Sequence, residues 1–130
     1  MNVKSFVSSG ITGFVVYFLT GWLCYGILFT EIFPKEEENA NTLTFIALGC
    51  LFYAFLHALI FIKWAGIRTF STGLKTGFVI GLLYAIGMNF FMYSAQEFHA
   101  NHFIIGILID SFSTAIMGGF IGFVHGKTSA

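Results

Sequence analysis

One acid stands alone. Asp110 lies between Glu97 and Lys127, and no other charged residue breaks that interval. In a membrane-spanning helix such a side chain costs about 2.5–3.5 kcal/mol near mid-span, so it faces the bundle and has a purpose there. It can bind a cation, exchange a proton, or hydrogen-bond a polar neighbour, of which Asn89, Ser111 and Ser113 are the candidates. His57 is the only histidine deep in an uncharged run. It can pack in the interior, bonded to Tyr17 or to a backbone carbonyl. Haem ligation by two histidines needs a second at similar depth, and none is there. Placed by helical rise, Asp110 and His57 differ by roughly 13 Å in depth, too far for a catalytic dyad. Tyr53, Tyr84 and Thr114 fall between them and can line a polar path. Asp110, Asn89 and His57 are therefore the candidate ion or proton residues.

Other reactive side chains point less sharply. His99 and His102 are three apart beside Glu97, a spacing that can clip a metal, yet they lie in a polar turn without a further ligand. No metal site is expected. Cys24 and Cys50 fall near one level toward the outer side, where an oxidising envelope permits a disulfide; they read rather as two packed thiols. The glycines lie inside apolar runs rather than in a strand-to-helix loop, so they make no phosphate cradle. No Ser-His-Asp set shares a depth. Neither an enzyme nor a cofactor-binding protein is expected from these residues.

The elements that position them follow from charge. The chain has 130 residues, 57% hydrophobic and 9% charged, where a water-soluble domain carries about 25%. Disorder is excluded by this composition. A nucleic-acid surface is excluded by the net charge of zero. Uncharged runs separate Lys4 from Glu31, Glu38 from Lys63, Lys75 from Glu97, and Glu97 from Lys127, with Asp110 the one interruption. A bilayer core of ~30 Å needs roughly 20 helical residues, so each run fits one span. The runs lack period-2 alternation and are too few for a barrel. The expected fold is all-α: a polytopic membrane protein whose four transmembrane helices, about 8–30, 43–64, 74–95 and 103–125, form an antiparallel up-down bundle. Loops are short, so residues 1–130 read as a single transmembrane domain.

Lys4, Lys63, Arg68, Lys75 and Lys127 fall on one side of that scheme and Lys35 on the other. By the positive-inside rule the first side is cytoplasmic. The expectation is a multi-pass protein of the cell inner membrane with both termini cytoplasmic. Its partners are the lipid bilayer and a second copy or a larger membrane complex, with no nucleic acid.

Membrane helices associate through close packing, which small residues four apart permit. Gly73, Gly77 and Gly81 continue through Ala85 to Asn89; Asp110 and Thr114 lead into Gly118, Gly122 and Gly126. Paired antiparallel about a turn centred between His99 and Ala100, Gly73 meets Gly126, Gly77 meets Gly122, and Gly81 meets Gly118. Asn89 then meets Asp110. A weaker register pairs the first two helices, setting Cys24 level with Cys50, Gly21 opposite the Tyr53 ring, and Tyr17 opposite His57. The longer acidic loop lets that register slip by about one turn, ~4 residues. His57 falls level with Gly81 and Gly118, whose missing side chains leave room for its ring.

Two segments carry a family likeness. One is Gly21-Trp22-Leu23-Cys24-Tyr25-Gly26-Ile27-Leu28-Phe29; the other joins Ile109-Asp110-Ser111 to Met117-Gly118-Gly119 after a Gly-studded third helix. Together they resemble the small four-helix bacterial membrane proteins of domain-of-unknown-function family 1761. The likeness departs after Phe29, at Thr30-Glu31-Ile32-Phe33. It implies membrane location and four helices, and no activity. Small multidrug-resistance transporters differ in carrying an acid in the first helix. Fluoride channels place a Thr-Phe-Ser segment in a broken helix, whereas Thr69-Phe70-Ser71 here precedes one. The expected role is an accessory or structural membrane subunit. The alternative is a small proton- or cation-coupled transporter or channel using the intramembrane acid.

Overall fold

The computed structural model describes residues 3–24, 40–95, 97 and 99–128. Four helices account for nearly all of them, and no strand occurs among the described residues. They are α1 (Val3–Leu23), α2 (Ala40–Leu59, continued as a π-helical turn over Ile60–Ala65), α3 (Phe70–Tyr93) and α4 (Ala100–Thr128). Each is long and apolar enough to cross a membrane. The expected end of the first span, 25–30, and the acidic loop with Glu36, Glu37 and Glu38 lie outside the described residues.

Several short polar side chains bond back to their own helices. Thr12 and Thr20 donate to the carbonyls of Ser8 and Val16, and Ser111 donates to Ile107. At the end of α2 the chain reverses through Gly66, whose φ of 62° and ψ of 35° are left-handed. A side chain there meets its own carbonyl, which is why glycine holds the position. α3 begins at once: Thr69 is extended, and its hydroxyl accepts from the Thr72 N–H at 3.2 Å, closing one orphan donor.

α4 is the centre of the molecule. Of its span 61% is buried, against 17–22% for the others. α3 has the most extensive interface with it, α1 the next, and α2 packs chiefly on α1. The core gathers Ala54, Ala58, Phe61, Ile67, Met117 and Ile121.

The two glycine stripes do face each other, but in a different register from the expected one. A Cβ on Gly73 would strike the Gly118 carbonyl, one on Gly77 would meet the Thr114 carbonyl at 2.6 Å, and one on Gly81 would meet Thr114 Cβ at 2.6 Å. Gly122 and Gly126 instead lie under the backbone carbonyls of Thr69 and Arg68. The cause is the turn. Asn101 and His102 are polar but helical, so α4 starts at Ala100 and the reversal centres near Glu97. Moving that centre by two to three residues slides the stripes by one to two helical turns.

The α1–α2 register also moves. Tyr17 packs against Tyr53 with ring centroids 5.0 Å apart and the planes tilted by 55°, one turn from the expected alignment with His57. Gly21 has nothing within 4 Å of its Cβ position, so it provides no hole for Tyr53. Gly13 points into α4, where a Cβ would meet Ile121 at 2.7 Å. The small face of α1 thus serves α4, and Gly10 alone turns to α2, against Phe55.

Candidate functional site

The helix that carries Asp110 also carries Thr114 one turn later on the same face. Thr114 is wholly buried, and its hydroxyl lies 3.0 Å from the Tyr53 hydroxyl of α2. Tyr53 in turn sits between two tyrosines: Tyr17 of α1 and Tyr84 of α3 each bring a ring centroid to 5.0 Å from its own. Four helices therefore converge on one phenol. Asp110 is half-buried and close enough to act electrostatically on both Tyr53 and Cys24. Of the residues expected to lie between Asp110 and His57, Tyr53, Tyr84 and Thr114 come together in this cluster.

His57 lies one turn below Tyr53 on α2 and is 1% exposed. Its Nδ1 is 2.9 Å from the Tyr53 carbonyl oxygen. A carbonyl only accepts, so Nδ1 carries the proton and donates. The ring meets Tyr53 edge-on at 4.5 Å and Phe61 at 6.0 Å. Its Nε2 is buried and has no hydrogen-bond partner. The side chain lying against Gly118 is that of Phe61, 3.2 Å from the Gly118 Cβ position, so the room expected for the imidazole is taken by a phenyl ring.

Asn89 and Asp110 are not brought together. Gly81 lies against Thr114 and the Phe90 ring against Phe103, so the α3 residue level with Asp110 is near Ala85, about one turn short of Asn89. Asn89 is 7% exposed and turns back on its own helix, its Nδ2 donating to the Ala85 carbonyl at 2.7 Å. The pairing failed because it depended on the turn being centred between His99 and Ala100. Cys24 and Cys50 are free thiols, both half-buried. His99 and His102 approach with ring centroids 5.3 Å apart, and no group of three His, Cys, Asp or Glu able to hold a metal occurs among the described residues.

One interior residue escaped sequence reasoning. His125 is buried, and its Nδ1 lies 2.7 Å from the Ile67 carbonyl, tying the end of α4 to the loop between α2 and α3. Together with the carbonyls over Gly122 and Gly126, this locks that loop onto α4. The signal was available: His125 follows Gly118 by seven residues, two turns along the same stripe.

Comparison of the chain with protein-family models, with curated proteins and with solved structures finds no match in any of the three.

Proposed function

We propose that the chain is an up-down four-helix protein of the cell inner membrane, termini cytoplasmic, that serves as an accessory or structural subunit. It works as a homodimer or within a larger membrane complex and carries no catalytic step. The observation that supports this reading is the uneven burial. In three of the four spans only 17–22% of the residues are buried, against 61% in α4. Phe45, Phe52 and Phe91 are each about three-quarters exposed, and the Cβ positions of Gly21, Gly49 and Gly87 have nothing within 4 Å. Lipid covers such faces without difficulty, but open glycines also let another helix approach at backbone distance. The likeness to family 1761, carried by the segments around Trp22 and Asp110, is part of the same proposal. Native mass spectrometry of the protein released from lipid nanodiscs tests it. A defined dimer or a co-purifying membrane protein supports the subunit reading, and a bare monomer at every protein-to-lipid ratio contradicts it.

The polar cluster favours a second reading, a small proton- or cation-coupled transporter. Asp110 would load the ion, with Thr114 and Tyr53 next along its face. Asn89 stands outside that arrangement, so the reading rests on Asp110 with Tyr53 rather than on the Asp110–Asn89 pair. Proteoliposomes holding a pH-sensitive dye discriminate: ion flux lost in Asp110→Asn supports transport, and no flux under any imposed gradient removes it.

A further inference from the structure

The imidazole of His57 is held with one nitrogen committed and the other bare. Nδ1–H donates to the Tyr53 carbonyl, which fixes the tautomer and leaves the Nε2 lone pair without a donor. A buried acceptor left in that state is expensive, and native interiors seldom contain one without a use. The ring meets the Tyr53 and Phe61 rings in T-shaped contacts, with centroids at 4.5 and 6.0 Å, so no polar side chain covers Nε2. The Tyr53 carbonyl dipole already points at Nδ1–H and strengthens when that donor becomes charged.

From this geometry we infer that His57 is a buried proton-binding site, whose Nε2 takes up a proton to give an imidazolium inside the bundle. The step is a plain acid–base exchange. Hydronium or a protonated buffer gives its proton to the Nε2 lone pair, a new N–H bond forms, and water or the free buffer base leaves. Titratable groups near the cluster are Tyr17 on α1, Tyr53 on α2, Tyr84 on α3 and Asp110 on α4, and of these Tyr53 is the one in edge contact with the imidazole. The inference goes beyond both functional readings, because the proton site is a property of the interior whichever of them holds.

The test is nitrogen NMR of the full chain in lipid nanodiscs with ¹⁵N-labelled histidine. Four histidines contribute, and His57 is identified by its correlation through the hydrogen bond to a ¹³C-labelled Tyr53 carbonyl, so no destabilising variant is needed. At about pH 8 the expected spectrum is that of a neutral ring protonated at Nδ1, with Nε2 bare. On acidification the Nε2 resonance moves reversibly to the doubly protonated position while circular dichroism remains helical. A Nε2 that stays bare down to the pH at which the helices unfold overturns the inference. So does a neutral ring protonated at Nε2, since the lone pair would then not be there to load. Replacing the exposed His99 with Gln leaves the transition of His57 in place; its disappearance in that variant shows the signal was never His57 and also overturns the inference.

Discussion

Replacing Gly118 with alanine adds one methyl group and should separate two helices. The new Cβ would sit 2.6 Å from the Gly73 carbonyl oxygen, 3.1 Å from Gly77 Cα and 3.2 Å from a Phe61 ring carbon. Ordinary carbon–oxygen contacts begin near 3.3 Å, so α3 and α4 must part by about 0.7 Å against rigid backbone. Overpacking of this kind costs about 1–3 kcal/mol. Alanine gains up to about 1 kcal/mol of helix propensity over glycine, which offsets part of it. With the full propensity gain subtracted, the net expectation is a loss of about 0–2 kcal/mol. Gly87→Ala receives the same propensity gain with nothing within 4 Å to strike, so it should be neutral or stabilise by up to about 1 kcal/mol. Reversible unfolding in mixed micelles, followed by circular dichroism, measures both. If the two variants shift in the same direction by similar amounts, close approach at Gly118 is not what holds the seam.

Three further outcomes are expected. Gly66→Ala should destabilise by about 1–2 kcal/mol because its left-handed φ is strained for any Cβ, while Gly66→Asn recovers part of the loss, read in the same unfolding assay. Tyr53→Phe should cost about 0.6–1.7 kcal/mol through loss of the bond to Thr114, and a double-mutant cycle with Thr114→Val should show that the two losses are not additive. A cycle between Asn89→Ala and Asp110→Asn should instead be additive within about 0.5 kcal/mol, since Asn89 bonds its own helix; coupling well above that would restore the direct pair.

Charge spacing made the spans legible, because a helix of about 20 uncharged residues has few homes other than a bilayer. Small-residue spacing also picked out the residues of the α3–α4 seam, since Gly73, Gly77, Gly81 and Gly118 are needed wherever backbones touch. What the spacing did not carry was the register. Asn101 and His102 read as loop by polarity, yet a helix end can hold polar residues without losing a hydrogen bond, so the turn shifted and Asn89 slid past Asp110. Likewise Gly21 was expected opposite the Tyr53 ring of the neighbouring helix, whereas its Cβ position has nothing within 4 Å, and Gly13 packs on Met117 and Ile121 of the central helix. Tyr53, Tyr84 and Thr114 meet all the same. Direction around a helix depends on which neighbour it packs against, and that is decided by the whole bundle.

The proposed function requires that the four helices cross a bilayer with the basic end inside. Single cysteines in a background lacking Cys24 and Cys50, placed at Arg68, at Glu97 and at Lys127, test it by labelling intact cells with a membrane-impermeant thiol reagent. The account predicts labelling at Glu97 in intact cells, and at Arg68 and Lys127 only after permeabilisation. Labelling of all three from the same side would contradict it.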